Sequence, residues 1–185
     1  MKKKIIIIIP ILLVIIAIVI FAYFVLFGSG TYTTNNIENY PDFTSHGENG
    51  IKSDLLIFPK KLQKNTSNIK YYYSFSDTFL DTTYQIYLDC KYNDDEFKSE
   101  IKRLKLIKYD DGNIVFDKKN FNYDAYVARL GYDCTSEYAL IDKANDRIVY
   151  IYLQFAKRID IRFDSKFLPN GYHLYGDCDS SYTLY

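Results

Sequence analysis

The chain has no tryptophan, two histidines, three cysteines and eight glycines in 185 residues. So little histidine leaves few partners to activate a cysteine or serine nucleophile. His46 lies in a polar stretch, and His173 lies in an irregular tail near Cys178. No serine stands in a GxSxG turn and no glycines fall in GxGxxG order, so neither a nucleophile elbow nor a phosphate-cradling loop is written in the chain. Cys90, Cys134 and Cys178 are 44 apart with no neighbouring histidine, unlike the short ligand spacing of a structural zinc site. Asp177-Cys178-Asp179 lacks the further oxygen ligands and the glycine of a calcium loop. The sequence therefore indicates neither metal nor cofactor. A surplus of positive charge is also missing. The formal net charge is zero, and no basic cluster occurs after the first four residues, which excludes a nucleic-acid binder.

The longest absence is of charge itself. From Ile5 to Phe27 there is no charged residue, only Ile, Leu, Val, Ala, Phe, Tyr and Pro10. As a helix this run is about 34 Å long, enough to cross the ~30 Å hydrocarbon core of a bilayer. Its many β-branched residues favour a strand in water. In lipid a lone strand leaves its backbone groups unpaired, so helix wins. Lys2, Lys3 and Lys4 precede the run, and no basic residue follows it until Lys52. That bias predicts a single-pass signal-anchor over residues 1–27, with its transmembrane helix at 5–27, the amino terminus cytoplasmic and the remainder extracytoplasmic. A cleaved signal peptide is the competing reading. Its apolar region is usually ~7–15 residues and ends in small residues, whereas this run is longer and ends in aromatics. No cysteine follows the run, which excludes a lipoprotein signal.

The chain is rich in Tyr (20) and Phe (13), residues that form strands well. Removing the three leading lysines leaves 20 basic against 23 acidic residues, a net charge of −3. Residues 28–50 are polar, Gly- and Asn-rich and aperiodic, and read as a flexible stalk. Residues 51–185 read as one domain. Leu55-Leu56-Ile57-Phe58-Pro59 suggests an extended segment at a sheet edge. Ile69 to Phe75 reads as a strand. Thr82 to Tyr92 alternates cleanly, with Tyr84, Ile86, Leu88, Cys90 and Tyr92 on the inward face.

One soluble helix comes next in the chain. Asn93 is its N-cap, Glu96 completes a capping-box pattern, and Asp94, Asp95 and Glu96 complement the helix dipole. Helix-start chemistry accounts for this acidic triplet without a metal. Phe97, Ile101 and Leu104 form the apolar stripe. Short strands are expected at Ile114–Phe116, Tyr126–Tyr132 and Glu137–Ile141. Arg147 to Phe155, apolar on both faces, is expected at the sheet centre. Ile159 to Phe163 reads as a last short strand. The expected fold class is α+β: an N-terminal transmembrane helix, then a mostly antiparallel sheet with one main helix packed on it.

An odd number of cysteines outside the cytoplasm suggests one disulfide and one free thiol, or an intermolecular bond. Cys90 points inward from a strand and reads as a buried free thiol. Cys134 and Cys178 sit at turn-like ends and read as the possible disulfide, although three pairings are open.

The runs Leu55–Pro59, Thr83–Cys90 and Glu137–Asp142 through Ile151–Phe155 resemble a group of short membrane-anchored proteins of low-GC Gram-positive bacteria with no assigned activity. The likeness covers roughly residues 54–163 and lies in strand sequences, not in a catalytic motif. It implies an exported, anchored domain and carries over no site residues. The expected function is a non-enzymatic binding or interaction domain at the cell envelope. Its expected partners are the lipid bilayer, through residues 5–27, and an unknown envelope protein or wall polymer. The alternative is an envelope hydrolase with a carboxylate-based site, marked by two converging carboxylates of which at least one is desolvated. A thiol-redox role requires an exposed thiol of low pKa.

Overall fold

A computed structural model describes residues 2–27, 30–40, 55–77, 82–109, 112–132 and 134–172. Helix α1 spans Lys2–Phe27. The strands are β1 (Gly30–Thr34), β2 (Ser67–Asp77), β3 (Thr82–Lys91), β4 (Lys108–Tyr109), β5 (Gly112–Asn113), β6 (Val115–Asp117), β7 (Asp124–Tyr132), β8 (Thr135–Asp142) and β9 (Arg147–Gln154), with α2 (Asp94–Leu106) after β3. Seven strands make one sheet in the order β1-β2-β3-β9-β8-β7-β6, and every neighbour is antiparallel. β4 and β5 pair separately. The α+β class expected from the sequence is what the chain forms.

The membrane-spanning part of that expectation stands differently. Within α1 the described side chains are Pro10 and residues 12–23, and among the described residues no helix is long and apolar enough to cross a membrane. The span over 5–27 is therefore a proposal rather than a feature of the fold.

β9 is the fourth strand of seven, paired on its two edges with β3 and β8, and its side chains are buried on both faces, as its unbroken apolar sequence requires. On the first face, Ile86, Leu88, Cys90, Ile148, Tyr150, Ala139 and Ile141 pack beneath α2 and the segment 55–62. On the second face, Tyr87, Val149, Ile151, Leu153, Tyr138 and Leu140 pack beneath Phe121 and a C-terminal segment carrying Phe163, Phe167 and Leu168. The N-cap forms as read: Asn93 Oδ1 accepts from the Glu96 amide at 2.8 Å. The Glu96 carboxylate does not close the box. It accepts instead from Asn65 Nδ2 at 3.0 Å and ties α2 to the covering segment.

Three local readings change. Residues 30–40 lie in the stretch read as stalk, yet Gly30–Thr34 is an edge strand paired with β2, and Tyr40 is buried. Thr31-Tyr32-Thr33-Thr34 is β-branched and aromatic, so polarity there marked a sheet edge. Residues 41–50 lie outside the described residues. Leu55–Phe58 is not an edge strand, because it crosses the first face with Ile57 fully buried. Ile159–Phe163 is not a strand either. Arg158–Asp160 is a 3-10 turn in the segment that covers the second face.

Core truncation should separate these layers. Leu88→Ala should lower stability by about 2–5 kcal/mol by urea denaturation, whereas Ile159→Ala at an exposed site should change it by less than ~0.5 kcal/mol. Equal effects would contradict the assignment of the core.

Candidate functional site

The chemistry-bearing side chains gather on the first face. Glu137 is fully buried on β8, Glu100 lies buried on α2, and the backbone of Ile57 runs between them. Glu137 Oε1 accepts the Ile57 amide at 2.7 Å. The Ile57 carbonyl accepts from Arg103, whose guanidinium also donates to both oxygens of Glu100. Tyr150 donates to Glu100 Oε1 at 2.7 Å, and the hydroxyls of Tyr150 and Tyr92 meet at 2.9 Å. Tyr40 donates to the Pro59 carbonyl. Leu55–Pro59 has no strand partner among the described residues, so side chains satisfy backbone groups that a sheet would otherwise pair.

Local sequence explains each position. Glu100 is three residues after Phe97 and four before Leu104, so it falls on the buried stripe of α2. Arg103 stands one turn on and reaches back to it. Glu137 shares the inward phase of Ala139 and Ile141 on β8.

Burial pushes the Glu137 carboxyl up to about 7, against the opposite pull of the Ile57 amide, Arg129, the Leu56 amide and Arg103. Oε2 of Glu137 is buried without a hydrogen-bond partner that meets ordinary geometry. Burial likewise raises the Tyr150 and Tyr92 phenols, so both remain protonated donors. Buried charge is costly unless it is paired, and here Arg103 neutralises Glu100 while Tyr150 fills a further lone pair.

A second polar cluster lies on the opposite face. Arg147 makes a two-pronged contact with buried Asp89, Tyr87 donates to Asp89 Oδ2 at 3.0 Å, and the guanidinium sits 5.5 Å from the Phe167 ring centre. Hydrogen bonding to Asp89 raises the Arg147 pKa and outweighs its burial. This cluster meets the C-terminal segment through the Phe167 ring.

Cys90 is free and buried, and burial pushes its thiol up to about 12 against the pull of the Tyr92 hydroxyl. The thiol-redox role required an exposed thiolate, and Cys90 does not provide one. Cys134 is disulfide-bonded and sits at a positive φ of 55° in the turn between β7 and β8. Cys178 lies outside the described residues, and no complete disulfide pair occurs within them. His46 and His173 also lie outside, as does Asp177-Cys178-Asp179. Among the described residues, no group of three or more His, Cys, Asp or Glu side chains is placed to hold a metal ion.

The sequence reading missed two sets: Glu100, Arg103, Glu137 and Tyr150 on the first face, and Asp89 with Arg147 on the second. The signal for Glu100 and Glu137 was present in their phase: each is a carboxylate at a position where periodicity places a hydrophobe. No protein-family model, curated protein or solved structure matches this chain.

The folded protein keeps the Glu137 proton up to about pH 7, while the unfolded chain releases it near 4.5. The folded state thus binds more protons between those values, and stability falls as pH rises through that window. Glu137 alone should make the protein about 3 kcal/mol less stable at pH 8 than at pH 4. Urea midpoints should show this slope in the parent chain and lose it in Glu137→Gln, which keeps an acceptor for Ile57. An unchanged slope in the variant would refute the assignment.

Proposed function

We propose that this chain is a single-pass membrane-anchored interaction domain of a cell envelope, held by residues 5–27 with its amino terminus cytoplasmic and its sheet extracytoplasmic. The observation that carries the reading is the surface of α1. Leu12, Leu13, Val14, Ile15, Ile16, Ile18, Val19, Ile20 and Phe21 are each 45–61 % exposed, around the whole circumference of the helix. A helix apolar all round belongs in an apolar surrounding, and lipid is the one that the flanking Lys2, Lys3 and Lys4 fit. The partner of the domain is an envelope protein or a wall polymer.

The hydrolase reading has one observation in its favour: two buried carboxylates, one of which holds its proton to near neutrality. General acid–base work needs such a group within hydrogen-bond reach of substrate. Glu137 is sealed and Glu100 is nearly so, with the Ile57 peptide between them, which supports a structural role instead.

Alkaline carbonate extraction of cells making the full chain should leave it in the membrane pellet. Protease added to intact cells or spheroplasts should remove the domain and spare the amino terminus. A soluble product beginning near Thr31 would overturn the anchor.

We infer that Cys134 pairs with Cys178, because Cys90 is free. Closing a span of 44 residues contributes on the order of 4 kcal/mol in the chain-entropy model. Thiol titration of the denatured chain without reductant should find one thiol. Three would remove the bond.

A further inference from the structure

The registers bring several chain ends to one end of the sheet. Gly30 opposes Asp77, Asp77 opposes Thr82, and Tyr84 opposes Gln154, which opposes Thr135. α1 ends at Phe27 and β1 starts at Gly30, so three peptide steps hold that end within about 11 Å of the end of α1.

Two sets of side chains stand there. On the first face are Tyr32, 52 % exposed and 6.0 Å from the Tyr73 ring, and the half-buried pair Phe75 and Tyr84, 5.0 Å apart. The turn after β9 lies towards the second face, where Gln85 Nε2 donates to the Asp160 carbonyl at 2.9 Å and pins it beside the start of β3. Its Ile159 is 80 % exposed, and Lys157, Arg158 and Arg162 around it are exposed as well. Against the one carboxylate of Asp160, these three cations leave the turn at +2.

We propose that this end of the sheet rests in the headgroup layer of the bilayer that α1 enters, with Tyr32 and Ile159 dipping towards the acyl chains from opposite faces. The proposal rests on the reading of α1 as a membrane anchor. The chemistry matches the interfacial zone. Tyrosine has an apolar body and a polar tip, exposed isoleucine gains by leaving water, and Lys and Arg extend along apolar surface while their heads reach lipid phosphates. The bilayer is favoured over a second protein because the short connection from α1 leaves this end no distance from the membrane in which to admit one.

The absence of tryptophan makes the test direct, since each single Trp variant carries one reporter. Ile159→Trp, Ala144→Trp and Phe21→Trp are each made in the full chain. Each is reconstituted in phosphatidylcholine–phosphatidylglycerol vesicles, with and without lipid brominated high on the acyl chain. Ala144 is exposed in the β8–β9 turn at the opposite end of the sheet, about 24 Å away along β9. The Trp at 159 should be quenched about twofold and emit to the blue of the Trp at 144, which should be unaffected. Replacing both Lys157 and Arg158 by Glu in the Ile159→Trp chain should weaken the quenching. If the Trp at 21 is quenched while those at 159 and 144 behave alike, the proposal is overturned and the anchor stands. If the Trp at 21 is not quenched, the anchor fails and this proposal fails with it.

Discussion

The peptide of Ile57 is the point on which the first face of the sheet depends. A central strand such as β9 cannot leave either face in water, and α2 alone covers only part of one. The rest is closed by a segment without regular structure, whose polar backbone would be stranded in an apolar layer. Glu137 and Arg103 meet that need from opposite sides, one taking the Ile57 N–H and the other supplying a donor to its carbonyl. Glu100, Tyr150 and Tyr92 then hold Arg103 in place. Arg103 and Glu100 are the shared members: loss of either leaves a buried partner unpaired.

The same arrangement explains the use of tyrosine. Tyr40, Tyr92, Tyr138 and Tyr150 bring the volume of a large core residue and one hydroxyl each. In every case that hydroxyl reaches a carbonyl, a carboxylate or another phenol. Tyr138 does on the second face what Tyr40 does on the first: it donates to a carbonyl of the covering chain, that of Phe167, at 3.0 Å. Two irregular segments are thus sewn to opposite faces by the same device.

The sequence showed the regular parts and hid the irregular ones. The alternation of β3, the cap at Asn93 and the double-sided apolarity of β9 are local signals, and local signals survive in a single chain. β1 was masked because an edge strand is allowed to be polar. Leu55–Phe58 looked like a strand because it is apolar, but its burial comes from lying across other strands rather than beside one. Glu137 was hidden for a different reason: its place in the core is decided by a backbone amide 80 residues away in the chain. Nothing near Glu137 in sequence announces that partner.

The way the chain enters the sheet also has a mechanical side. Gly30 is the first residue of the outermost strand, and β1 is joined to the body through five register pairs, from Gly30 with Asp77 to Thr34 with Tyr73. Any pull on α1 is delivered to that short ladder before it reaches the buried strands. β1 is therefore placed to peel away first under such a load, while the core formed by β3, β9 and β8 keeps its shape.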